Sequence, residues 1–150
     1  MMKNIFTILI LAIITLLGYI AVCAEPLAGD ISSTEGGTSF GGKVWYASYM
    51  NLKQPRNFIK DEQLRIRLSG NAKSVYVRLL PKDAVSTNPT GIIDKRIHVP
   101  QEGVITVKLD KAYPNIQQVS VHSGHQAFQK LINSFNGNAD IIDVEVVVDK

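Results

Sequence analysis

The sequence predicts an all-β fold: a single antiparallel β-sandwich of about seven or eight short strands, a class that includes the jelly roll, with one short helix near 124–132. Three observations carry this prediction. Apolar and polar residues alternate with period two in one short run after another, the pattern of a strand with one buried and one wet face. Proline, glycine and asparagine separate the runs, at Pro55, Gly70-Asn71, Pro81, Pro100, Gly103, Pro114 and Gly137. The single cysteine, Cys23, allows no intramolecular disulfide, so the core has to be held by side-chain packing, and because Cys23 falls in a segment expected to be cleaved off, thiol nucleophiles and cysteine-built zinc sites are not expected in the mature chain.

Residues 1–24 have the layout of a secretory signal peptide. Lys3 precedes an apolar run from Ile5 to Val22, and Ala21-Val22-Cys23-Ala24 supplies small residues before Glu25-Pro26. Cleavage after Ala24 is expected. The run also has about the minimum length of a membrane span, so an uncleaved anchor is the first alternative. Ile20-Ala21-Val22-Cys23 partly resembles the lipobox of bacterial lipoproteins, in which the cysteine is lipidated. Val22 departs from that pattern, which has a small residue there. Residues 25–42 hold many Gly, Ser and Thr and few bulky side chains, Ile31 and Phe40 being the large ones, and read as a flexible leader to a sandwich domain at 43–150.

Strand candidates follow in order. Lys43–Met50 carries Val44, Trp45, Tyr46, Tyr49 and Met50, and Asn51–Asn57 with Pro55 reads as a loop. Leu64, Ile66 and Leu68 then alternate with Arg65 and Arg67, and Val75, Val77 and Leu79 alternate with Tyr76 and Arg78. Gly70 and Asn71 in the link between them readily take positive φ, so the pair is expected to form an antiparallel hairpin with an aliphatic inner face and an arginine-rich outer face. Ile92–Val99 and Val104–Leu109, joined by Pro100 to Gly103, predict a second hairpin. Ile116–His122 has Val119 and Val121 inward. Ala127, Phe128, Leu131 and Ile132 recur at helical spacing, with Ser123 and Gln126 as a capping box. The last strand has Ile142, Val144, Val146 and Val148 alternating with Asp143, Glu145 and Val147. In general pattern the chain is similar to small exported bacterial β-sandwich domains.

The formal net charge is +3 and includes Lys3, so the global balance identifies no partner. The bases are nevertheless concentrated between Lys43 and Lys82, and Asp140, Asp143, Glu145 and Asp149 make the tail acidic. If the alternation holds, Arg65, Arg67, Tyr76 and Arg78 share the outer hairpin face. Arginine beside an aromatic ring can bind carboxylates or phosphates in a bidentate fashion and stack on rings, which makes these four the candidate ligand-binding residues. An anionic glycan or an acidic protein surface is the expected partner. Nucleic acid does not suit an exported chain, and membrane contact would arise only through an uncleaved N-terminal segment or a lipidated Cys23. Alternatively, the arginines pair with Asp143 and Glu145 in a cross-strand ladder that needs no partner.

No motif identifies a reaction, and no cofactor is expected. His122 and His125 flank a strand end and would need Asp140 to approach a zinc site, and that spacing is no established ligand signature. Ser120 or Ser123 with a histidine and Asp140 lacks the Gly-x-Ser-x-Gly turn of a hydrolase. Asp143 and Glu145 have the spacing of two carboxylates on one strand face but no cleft for glycoside cleavage. The glycines at 36–42 precede no helix and make no phosphate loop. The reading is therefore an exported, non-enzymatic binding module, periplasmic or secreted. The alternatives are a small hydrolase or metal-dependent enzyme using the His122–His125 loop, and a structural envelope subunit in which residues 25–42 are donated as a strand.

Overall fold

The computed structural model describes residues 23–37, 43–82, 92–123 and 136–148, with backbone alone at 37, 43–45 and 92–95. The strands are β1 (Cys23–Pro26), β2 (Gly29–Gly37), β3 (Lys43–Phe58), β4 (Gln63–Gly70), β5 (Ser74–Pro81), β6 (Ile92–His98), β7 (Val104–Lys108), β8 (Tyr113–Ser123) and β9 (Ala139–Val148). They form a four-stranded sheet in the order β1-β9-β4-β7 and a five-stranded sheet in the order β2-β3-β8-β5-β6, with antiparallel neighbours throughout. Every connection except β2–β3 and β5–β6 passes from one sheet to the other. This is the double Greek-key winding of a jelly roll, with β2 added at one edge. The helix expected near 124–132 and most of the signal segment lie outside the described residues. Among the described residues no helix is long and apolar enough to cross a membrane.

The inward faces follow the alternation. Leu64, Ile66 and Leu68 of β4, Val75, Val77 and Leu79 of β5, Ile105 and Val107 of β7, and Val119 and Val121 of β8 pack into one core between the sheets. The pairing does not follow it. The expected hairpin over 64–80 is not formed, because β4 pairs with β7 and β9 while β5 pairs with β6 and β8. The second expected hairpin fails in the same way, β6 and β7 lying in different sheets. Local hydrogen bonds give the reason. Instead of closing a turn, the Ser69–Ser74 link ties to the start of β9: Asn71 N–H and Ala72 N–H donate to the Asn138 carbonyl at 3.0 and 2.9 Å. Asn138 N–H in turn donates to Asn71 Oδ1 at 3.0 Å.

Residues 25–42 are not a flexible leader where they are described. Pro26 and Glu25 pair with Glu145 and Val146 of β9, and β2 pairs along β3 from Gly29↔Leu52 to Gly37↔Lys43. An edge strand is held by its backbone hydrogen bonds, so a segment of Gly, Ser and Thr can form one while burying almost no side chain. Ile31, one of the large side chains of this segment, is exposed. Close approach also fixes this segment, since a Cβ on Gly29 would lie 2.6 Å from the Asn51 carbonyl oxygen. The Glu25 carboxylate reaches Arg56 Nη1 at 2.9 Å, and the buried Glu62 receives Arg56 Nη2 at 3.5 Å and Ile59 N–H at 2.8 Å.

Two further expectations are corrected. Asn51–Asn57 belongs to β3. Pro55, which has no N–H to donate, sits where the register with β8 jumps from Asn51 to Arg56. In β9 the alternation breaks at a bulge: Arg67 faces Asp143 and Leu68 faces Ile141, which leaves Ile142 over. Ile141 therefore turns into the core, and Ile142 and Val148 stay exposed. The bulge is held across the sandwich, where Ile141 N–H donates to the buried Ser48 Oγ of β3 at 3.0 Å and Tyr46 Oη donates to Asp140.

Tyr113 yields a pH prediction. Burial and the Asp110 carboxylate, which accepts its hydroxyl at 2.8 Å, push its pKa up to about 12 from 10.0. Between those values the unfolded phenol has lost its proton while the folded one keeps it, so stability falls as pH rises through this window. Denaturant midpoints should show a loss on the order of 1 kcal/mol from this residue, since water screens much of the effect. Tyr113→Phe should remove that part of the alkaline slope, and an unchanged slope would contradict the assignment.

Candidate functional site

The structure divides the four candidate residues between opposite faces. Arg65 and Arg67 lie on the outer face of the four-stranded sheet, directly across from Glu145 and Asp143 of β9. Arg67 Nη2 is 2.7 Å from Asp143 Oδ2, and Arg65 Nη1 is 3.7 Å from Glu145 Oε2. The cross-strand ladder is thus the arrangement found. Each such surface pair contributes about 0–1 kcal/mol, and together they cancel the charge that made this face a ligand candidate.

Tyr76 and Arg78 face outward from the five-stranded sheet, and the register sets other residues beside them in rows. Ser32, Tyr49, Ser120 and Arg78 stand side by side across β2, β3, β8 and β5. The next row is Thr34, Ala47, His122, Tyr76 and Arg96, and on the other side lie Asp30, Asn51, Gln118 and Leu80. The core takes Val119 and Val121 from β8 and Val75, Val77 and Leu79 from β5, so the alternate residues must form this outer surface.

The centre of the face is ordered by side-chain contacts. The Tyr49 and His122 rings meet edge to face with centroids 5.8 Å apart, an arrangement favoured by the ring quadrupoles. Ser120 Oγ lies 2.9 Å from His122 Nε2, which fixes the ring from below, and neither Ser120 nor Ala47 has any exposed surface. Burial raises the Tyr49 pKa, and the neighbouring Arg78 guanidinium offsets part of the rise. At the margins Gln118 Nε2 donates to Asn51 Oδ1 at 2.8 Å, and Arg96 Nε donates to Ser74 Oγ at 2.8 Å. Arg78, Arg96 and His122 supply cationic or cation-capable groups in these rows, and the carboxylate in them, Asp30, is on the edge strand.

Such a surface offers aromatic rings, amides and guanidinium groups on three strands that each have a paired neighbour on both sides. It can stack against a ring, donate to hydroxyls and hold an anion, all from rigid elements. Among the described residues no serine, histidine and aspartate are brought together as a hydrolytic set. Ser120 is inaccessible, and His122 faces outward while Asp140 belongs to the other sheet, where Tyr46 reaches it from the inner side. Ser123 is buried on that inner side too. His125 and the rest of its loop lie outside the described residues, as does the side chain of Trp45. Among the described residues no three His, Cys, Asp or Glu side chains stand together as metal ligands would.

Tyr49, Ser120 and His122 are the members that sequence reasoning did not join to Tyr76 and Arg78. Their outward positions were available from the alternation in β3 and β8, but their adjacency depends on β5 pairing with β8.

A solved structure with some similarity is a selenomethionine-labelled mutant of chitosan-binding module 1 from a chitosanase/glucanase of Paenibacillus sp. IK-5. It is 12% identical with a TM-score of 0.40, over 86% of this chain and 96% of that one. No protein-family model and no curated protein matches the sequence.

Proposed function

We propose that this chain is an exported, non-enzymatic binding module whose five-stranded face takes an acidic glycan. The observation that supports this reading most is the in-register grouping of Tyr49, His122, Tyr76 and Arg78 on that face. A sugar ring has an apolar face for Tyr76 to meet and hydroxyls for the surrounding amides and imidazole. A uronate or sulfate group would be held by Arg78 and Arg96 as charge-assisted hydrogen bonds. Export rests on the signal-like segment at 1–24, whose removal would take with it Cys23 and Ala24, the first two residues of β1. After cleavage at Ala24, Glu25 and Pro26 still pair with β9, and Glu25 still meets Arg56.

Affinity electrophoresis through gels containing polygalacturonate, heparin or a neutral glucan tests the reading. Retardation is expected in the acidic gels. Tyr76→Ala and Arg78→Gln should each weaken it by about tenfold, the scale of one charge-assisted or stacking contact of about 1.4 kcal/mol. Arg65→Gln and Arg67→Gln should leave it unchanged. Equal migration in every gel, or loss only with the Arg65 and Arg67 variants, would refute the assignment.

A further inference from the structure

A concavity lies at one end of the sandwich, away from the aromatic centre of the five-stranded face. The β4–β5 link, the β6–β7 turn and the start of β9 meet there around a cleft of about 250 Å³. That volume is below the roughly 300–1,000 Å³ of pockets for drug-sized ligands, so it suits one small ring and not a length of chain.

The walls are fixed before any ligand arrives. Leu68 N–H donates to the Gly103 carbonyl at 2.7 Å, Val99 N–H to the Lys73 carbonyl at 2.9 Å and Gly103 N–H to the Pro100 carbonyl at 2.9 Å. Asn136 Oδ1 accepts Lys73 N–H at 2.7 Å and Ser74 N–H at 3.1 Å, which clamps the link from the other side. Gly103 has a φ of 72°, and a Cβ there would lie 2.6 Å from the Leu68 carbonyl oxygen, so the connections touch backbone to backbone. The floor is apolar, with the buried Leu68, Ala72 and Ala139.

The rim differs in kind. Lys73, Gln101 and Glu102 are among the residues that line the cleft, and no hydrogen bond or ion pair ties their side chains to the described residues, although the polar backbone around them is largely paired. One cation, one anion and one amide give donors and acceptors with no net charge. Hydroxyl groups both donate and accept, so a polyol answers such a rim, and the apolar side of a sugar ring answers the floor.

We infer that this cleft is a separate subsite for the terminal pyranose unit of a glycan, with Lys73 and Glu102 as its hydrogen-bonding residues. As to ligand class, the inference rests on the glycan reading above. The cleft adjoins the face described there, since Ser74, next to Lys73, accepts Arg96 Nε at 2.8 Å and Asn136 Nδ2 at 3.3 Å.

The test is amide NMR titration of the chain with the methyl glycosides of glucose, glucosamine and galacturonate, each to about 20 mM, a concentration that detects millimolar affinities. At least one should shift amides of 68–73 and 99–103. Lys73→Ala and Glu102→Gln, both surface changes, should each weaken that response by about tenfold, as loss of a charge-assisted hydrogen bond does. Shifts confined to Tyr49, Tyr76 and His122, cleft shifts indifferent to both variants, or no shift with any glycoside would overturn the subsite. Polymer retardation in the electrophoresis above is scored separately. Its presence without cleft shifts rejects the subsite and keeps the binding face, and its absence with cleft shifts does the reverse.

Discussion

Val77→Asp is expected to abolish cooperative folding of the sandwich. Val77 has no exposed surface and lies between Val121 of β8 and Ile93 of β6, in the middle of the five-stranded sheet. The substitution removes about 1.5–3 kcal/mol of apolar burial. It also places a carboxyl group where the side chain meets only hydrocarbon. Protonation avoids the charge but still leaves a polar acid without a partner, at a further cost of about 2–7 kcal/mol. The sum is comparable with the roughly 5–15 kcal/mol stability of a whole domain. Circular dichroism and urea titration should therefore show no folded baseline. Val148→Asp is the control: Val148 is 39% exposed, so this change should stay within about 1 kcal/mol of the parent. A well-folded Val77→Asp chain would reverse the two faces of β5. Tyr76 and Arg78 would then point into the core, and the binding face would lose both residues.

That experiment bears on what the amino-acid order could reveal. Period-two alternation reports which side of a strand meets the core, because burial selects side chain by side chain. Leu64 to Leu68 and Val75 to Leu79 were legible for that reason. It carries no information about which strand lies alongside. The Gly70-Asn71 link looks like a hairpin turn, and the same two residues serve equally well in a crossing between sheets that is tied down by Asn138. The same limit governed the candidate site. Tyr76 and Arg78 could be placed outward from the sequence, whereas their separation from Arg65 and Arg67, and their union with Tyr49 and His122, are consequences of long-range pairing. Residues 29–37 were illegible for a different reason: an edge strand needs backbone partners more than apolar side chains, so its composition resembles that of a loop. At Ile142 one bulge residue shifts the side chains before it by one position, so Ala139 and Ile141 are buried without any sign in the pattern while Val144 and Val146 keep the inward places the alternation predicts.

Gly70→Ala is expected to destabilise the chain by about 3 kcal/mol or more, much more than a glycine replacement in an ordinary strand. Gly70 has a φ of 111°, a backbone state that side chains rarely adopt, and such strain costs on the order of 1–3 kcal/mol. A second term adds to it. A Cβ at this position would lie 2.2 Å from the Asn138 carbonyl oxygen and 2.9 Å from its carbon, both backbone atoms with little freedom to retreat. That carbonyl accepts from Asn71 N–H and Ala72 N–H, so pushing it away breaks the ties that join the β4–β5 link to β9. An alanine at an unstrained glycine would instead stabilise by about 0.4–1 kcal/mol, through a less flexible unfolded chain, so the sign of the change is itself diagnostic. Urea unfolding measures the magnitude, and hydrogen exchange should locate the damage at residues 69–73 and 136–140 while the amides of β8 keep their protection. A variant as stable as the parent would mean that the link and β9 do not touch in this way. The rigid wall of the end cleft would then be lost, and with it the physical basis for a preformed subsite there.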